Sequence, residues 1–182
     1  DVRLMLDVVD RRSPIGKRDY AILLLLVTYG LRSSEVAALS VDSIDWESER
    51  LVIPDRKASH STAFPLSSIV GEAIVSYLQQ GRPPSSERIL FLRTLAPFTP
   101  LRWQAIGQRA THYLAKAGIQ VARPGSHTLR HTCVQRLVDA HFDLKTIGDY
   151  VGHRLPLSTQ MYTKIDVEAL REIAMGDGED IL

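Results

Sequence analysis

Seven apolar residues in a row, Ala21 to Val27, form the longest hydrophobic run of the chain. Such a run has no polar face to turn toward water, so the element that contains it must be wrapped by others on every side. Charge ahead of it and Gly30 behind it predict a buried helix over Lys17–Gly30, closed by a glycine cap and anchoring the core. The run is far shorter than the roughly 20 residues that cross a bilayer, and no signal-peptide pattern opens the chain, so a soluble protein without membrane association is expected.

A second short helix is expected after it, with Ser33 or Ser34 as N-cap and Glu35 favouring the positive helix start, which holds Arg32 at a helix entrance. From Ser43 to Leu66 the pattern becomes β-like, with strands over Ser43–Trp46, Arg50–Ile53 and Thr62–Pro65 and a basic turn over Asp55–His60. Helical patterning returns at Ser67–Gln80, and a Pro/Ser loop around Gly81–Ser86, long enough to be mobile, follows it. Further helices are predicted over Leu101–Ala117, His127–Ala140, Leu144–Val151, Leu157–Lys164 and Val167–Met175, with a frayed tail beyond. The fold class is therefore mostly α with a small three-stranded antiparallel β-sheet (α+β).

A length of 182 residues suits one domain, 1–182, and a chain that begins at Asp1 without methionine reads as part of a longer protein. The single cysteine, Cys133, cannot form an internal disulfide and lies in an apolar-periodic segment, which predicts a buried, inert thiol and a reducing, intracellular setting. The net charge of +1 hides an asymmetry. Between Gly81 and Leu137 nine arginines and lysines face one acid, Glu87, whereas Val138–Leu182 carries nine acids against four bases. That distribution fits a local nucleic-acid surface better than a uniformly basic protein.

The chemistry concentrates in three places. Ser126 to Leu137 reads S-H-T-L-R-H-T-C-V-Q-R-L, Gly152-His153 comes further on, and a lone tyrosine stands in Gln160-Met161-Tyr162-Thr163. An arginine, flanking histidines and a downstream tyrosine are what a protein needs to attack a phosphodiester without metal. A guanidinium grips two phosphate oxygens in a planar fork, histidine handles protons near neutral pH, and a phenol oxygen can become the covalent nucleophile. His127 and His131 also stand at a spacing that can ligate zinc. No glutamate lies between them, however, and Arg130 would set a positive charge beside the metal, so no metal is expected. His131 is expected to support the site by packing or hydrogen bonding.

Thr28-Tyr29-Gly30-Leu31-Arg32-Ser33-Ser34-Glu35, the Lys57 hairpin ending in Pro65-Leu66, His127-Thr128-Leu129-Arg130-His131-Thr132, Val151-Gly152-His153 and Tyr162 together resemble the catalytic domain of the tyrosine recombinase (phage integrase) family. The resemblance extends from the buried helix to the helix after Tyr162. It implies that Arg32 and Arg130 clamp the scissile phosphate and that Tyr162 attacks phosphorus to give a 3′-phosphotyrosyl link. A free phenolate costs about 4 kcal/mol at neutral pH, which the arginines and a nearby base must offset. By the same resemblance Lys57, eight residues before Pro65, is the general acid for the leaving 5′-oxygen. His127 is the proton acceptor or a phosphate contact, and His153 bonds the phosphate or orients the site. The hairpin departs from the family's glycine-lysine-glycine tip: Arg56 and Ala58 flank the lysine, and His60 and Thr62 stand where further bases are common.

What the resemblance implies is a site-specific recombinase or integrase acting on double-stranded DNA without metal, ATP or cofactor. The same resemblance implies a homotetramer on paired sites in the bacterial cytoplasm. Arg56, His60, Arg102, Arg109 and Arg123 are the expected DNA contacts. Relatives carry an N-terminal core-binding domain that is expected to be missing from these 182 residues. The final helix, Val167–Met175, packs either on its own domain or into a neighbour. A type IB topoisomerase-like relaxation activity and a non-catalytic DNA-binding module are the alternatives.

Overall fold

In the computed structural model, residues 2–57 and 60–152 are described. The run Ala21–Val27 lies in helix α2 (Pro14–Thr28), and each of its seven residues is at most 1% exposed. The helix starts three residues before the expected Lys17. Ser13 is its N-cap, its Oγ accepting the Gly16 N–H at 3.0 Å, and Pro14 fills the first helical turn, where a missing N–H costs nothing. It ends at Thr28, and Gly30 beyond the cap takes the left-handed conformation with φ +58°. Arg18 and Asp19, which open the expected helix as charge, are themselves buried. Arg18 bonds Asp19 Oδ1 at 2.9 and 2.7 Å and the Leu92 carbonyl at 3.2 Å, while the Tyr113 hydroxyl donates to Asp19 Oδ2 at 3.2 Å. Burial, reinforced by the Asp19 charge, pushes the Tyr113 phenol up to about 12.

Ahead of α2 lies a helix that the sequence pattern does not single out, α1 (Val2–Asp7), which buries Met5 and Leu6. After α2 come α3 (Ser33–Ala38), a single 3₁₀ turn over Val41–Ser43, and strands β1 (Ile44–Asp45), β2 (Arg50–Lys57) and β3 (His60–Pro65). The three strands form one antiparallel sheet in the order β1-β2-β3. Leu51 pairs with Phe64 and Ile53 with Thr62, and Leu51, Ile53 and Phe64 are buried beneath the sheet. The segment expected as a turn over Asp55–His60 belongs largely to the strands, because the register shifts between Ile53 and Lys57 and pairing resumes at Lys57–His60. Pro54, which has no N–H to give the ladder, lies within the shifted stretch.

The remaining helices are α4 (Ser68–Gln80), α5 (Trp103–Lys116), α6 (Ser126–Asp139) and α7 (Leu144–Tyr150), each within two residues of the predicted bounds. The Pro/Ser loop after α4, expected to be mobile, is tied back by Arg82. Its guanidinium donates to the carbonyls of Glu87, Ile89 and Leu90, and Ser40 and Ile89 form an isolated bridge. Helices α4, α5 and α6 all pack against α2, which explains why that helix needs no polar face. Among the described residues no helix is long and apolar enough to cross a membrane. The helices expected over Leu157–Lys164 and Val167–Met175 lie outside the described residues.

Candidate functional site

Three chain segments meet at the C-terminal end of α2. The first is the turn Gly30-Leu31-Arg32. A Cβ at Gly30 would meet Cys133 Sγ at 3.2 Å and Val151 Cγ1 at 3.3 Å, so glycine is needed both for the positive φ and for the close approach of α6 and the turn after α7. The second segment is the first two turns of α6. The third is Val151-Gly152. Tyr150 and Cys133 share one acceptor, the Thr28 carbonyl, at 3.1 and 3.4 Å, and this joins the end of α2 to α6 and α7. Cys133 is buried, as its apolar-periodic segment predicts.

Arg32 is the N-cap of α3, one residue before the expected Ser33, with extended backbone (φ −75°, ψ 151°). Its side chain is 39% exposed, whereas Glu35 is 9% exposed. One Glu35 oxygen accepts the Arg32 backbone N–H at 2.6 Å and the other accepts guanidinium Nη1 at 3.0 Å. The carboxylate three residues into the helix therefore satisfies an orphan backbone donor and aims the guanidinium at once. Nη2 of Arg32 donates to the Gly152 carbonyl at 2.9 Å.

Arg130, on the second turn of α6, donates from Nη1 to the Gly30 carbonyl at 2.6 Å and from Nη2 to the Val151 carbonyl at 2.5 Å. Leu129, Cys133 and Leu137 form the buried stripe of α6, and Arg130 stands beside it, half-buried. His127 is exposed in the first turn, three residues before Arg130 and hence on the same helical face. His131, expected to pack or hydrogen-bond, is exposed. The N-cap of α6 is Gly125, which has no side chain to bond the first-turn N–H groups, and the Thr128 N–H donates to the Gly125 carbonyl at 3.1 Å.

The other site residues distribute as follows. The backbones of Lys57 and His60 are paired at the end of the β2–β3 hairpin, with Arg56 one residue back on β2. Arg102 is the exposed N-cap of α5, and Arg123 is exposed in the loop before α6. Arg109 points its Nη1 toward the buried Asp19 carboxylate at 3.9 Å, so part of its charge belongs to the core. Arg88, another member of the basic stretch, is paired with Asp42. His153, which directly follows Gly152, and Tyr162 lie outside the described residues. Among the described residues no three His, Cys, Asp or Glu side chains are grouped to hold a metal.

The hold of Glu35 on Arg32 follows from the three-residue spacing of a capping acid, whereas one feature of the site escapes the sequence motifs: a hydroxyl contact between Ser33 and Ser126, for which the sequence carries no signal.

The profile of the Phage integrase family matches residues 1–169. A protein of Sinorhizobium fredii named "Putative integrase/recombinase y4gC" is 40% identical over 165 residues, covering 90% of this chain and 85% of that protein. "Tyrosine recombinase XerA" of Thermococcus kodakarensis is 31% identical over 172 residues, covering 94% of this chain and 58% of its own length. Among solved structures, XerH site-specific recombinase bound to difH substrate superposes with a TM-score of 0.72 at 18% identity, over 95% of this chain and 48% of that one. The chain thus spans about half of the XerH chain, and it covers 42% of a further S. fredii relative, y4rA.

Proposed function

The chain belongs to the phage integrase (tyrosine recombinase) family, and from that premise we propose that it is the catalytic domain of a site-specific recombinase that cuts and rejoins double-stranded DNA. The observation that carries the reading is the shared anchorage of Arg32 and Arg130 on the adjacent carbonyls of Gly152 and Val151. Two guanidinium groups bound to neighbouring peptide units can fork one phosphate between them. Their fixed positive charge stabilises the pentacoordinate transition state, in which negative charge builds on the non-bridging oxygens.

In this reading the Tyr162 oxygen attacks phosphorus and loses its proton. A P–O bond forms to the phenol oxygen, the bond to the 5′-oxygen breaks, and that oxygen leaves as a hydroxyl protonated by Lys57. His127 takes the phenolic proton or binds the phosphate, and His153 completes the phosphate contacts. The phosphotyrosyl ester keeps the energy of the broken bond, so a 5′-hydroxyl from a partner strand reverses the step without ATP. Arg102 and Arg123, with Arg56 and His60 on the hairpin, hold flanking phosphates, and Arg109 contributes less because Asp19 shares its charge. Four protomers act on two paired sites.

The test uses the full-length protein and a supercoiled plasmid carrying two copies of a site selected from random duplexes by covalent capture. Exchange of flanking segments between the two copies is the expected product. Relaxed circles without exchange support the topoisomerase-like alternative, and binding without any strand breakage supports a non-catalytic module.

A further inference from the structure

Ser33 and Ser126 stand next in sequence to Arg32 and His127, and their hydroxyls meet. Ser33 Oγ donates to Ser126 Oγ at 2.8 Å across 93 positions of the chain, and Ser33 is 8% exposed. Helix α5 closes this contact from a third side, since a Cβ on Gly107 would lie 3.5 Å from Ser33 Oγ.

The other ties at the start of α6 do different work. The Thr128 hydroxyl donates to the Arg123 carbonyl at 2.7 Å and the Thr111 hydroxyl to the Pro124 carbonyl at 3.2 Å, which fixes the incoming loop but does not reach α3. Arg130 ties the second turn of α6 to Gly30, and Arg32 ties the start of α3 to Gly152. Each of those bonds ties one helix start to a carbonyl of another segment rather than to the other helix start. The hydroxyl pair bridges the two helix starts directly, through the shortest side chains that can hydrogen-bond.

We propose that Ser33 and Ser126 form a positioning link that fixes Arg32 against His127, so that a phosphate oxygen gripped by the guanidinium lies within reach of the imidazole. This rests on the function proposed above. The pair is uncharged, so its contribution is geometric: affinity for DNA, set by many phosphate contacts, is nearly independent of it, whereas the rate at a reacting phosphorus depends on placement within an ångström.

The experiment compares Ser33→Ala, Ser126→Ala, the double variant and Ser126→Thr in the full-length protein, with single-turnover adduct formation on a nicked duplex bearing the selected site. Each alanine slows adduct formation at saturating DNA between about tenfold and a hundredfold, and the double variant is no slower than the slower single. The dissociation constant stays within about twofold of wild type. Ser126→Thr, which keeps the hydroxyl, recovers most of the loss. Wild-type rates in both alanine variants overturn the link, as does independent, additive slowing.

A second readout needs no strand cleavage. Inorganic sulfate is titrated while the Arg32 Nε–H and His127 Cε1–H resonances are followed. In wild type both shift along one binding curve, and in Ser33→Ala they separate into two. Separate curves in wild type overturn the link even if DNA is cut. A common curve in a protein that forms no adduct leaves the link standing and removes the recombinase reading.

Discussion

Arg32 and Arg130, 98 positions apart in sequence, donate to the carbonyls of two consecutive residues, Gly152 and Val151. The peptide linking those carbonyls thus sets how far apart the two guanidinium groups stand. It also leads directly into His153, so three of the proposed phosphate ligands share one short piece of backbone.

Lysine cannot replace either arginine. A compact ammonium supplies charge but not two parallel donors, and it cannot keep its backbone anchor while also forking a phosphate. Arg32→Lys and Arg130→Lys should each lower single-turnover cleavage by at least about 10²-fold. Salt-dependent DNA binding, measured by fluorescence anisotropy, should change far less.

Gly30 carries two requirements at once. Gly30→Ala forces a side chain into the left-handed region at φ +58° and against Cys133 and Val151, so it should destabilise the fold by at least about 1–2 kcal/mol in urea unfolding. Gly118→Ala is the control. It has φ +70° but open space around its Cβ, and should cost only the backbone share.

Asp143 caps α7, the helix that delivers the Val151-Gly152 turn. The Thr146 hydroxyl, then the Thr146 and Lys145 N–H groups, hold its carboxyl below the ordinary 3.8. A group whose folded pKa is depressed binds fewer protons when folded than when unfolded, so stability falls as the pH drops. The difference in urea midpoint between wild type and Asp143→Ala should hold steady from about pH 7 to about pH 5. It should then shrink as the pH falls through 3.8 toward the lower folded value.

Lys57 is the proposed proton donor to the leaving oxygen. Lys57→Ala should slow cleavage by about 10²–10⁴-fold on a normal duplex, and far less where sulfur replaces the 5′-bridging oxygen, because a thiolate leaves without an acid. Equal slowing on both substrates would remove the general-acid role.

Much of this organisation is legible in the residue order. Ala21–Val27, with charge ahead of it and Gly30 behind it, reads as a wrapped helix, and the spacing of Arg32 to Glu35 is that of a capping acid. Helix α1 is not legible, because Arg3 and the exposed Leu4 break its short pattern and its burial comes from packing on α2 and α5. The hairpin arms run longer than their apolar alternation, since backbone pairing beyond Ile53 needs no hydrophobic residues. The anchorage of Arg32 on Gly152, 120 positions away, leaves no trace in composition at all, because every residue carries a carbonyl.

A covalent bond between Tyr162 and a DNA 3′-phosphate is the step that every proposed residue role serves, and it can be trapped and located. The full-length protein is incubated with a nicked duplex whose short cleaved strand diffuses away, and the trapped adduct is digested and mapped by mass spectrometry. The expected result is a DNA 3′-phosphate on the peptide containing Tyr162, and no adduct with Tyr162→Phe. A wild-type level of adduct in the phenylalanine variant, or a linkage mapped to another residue, would contradict the account.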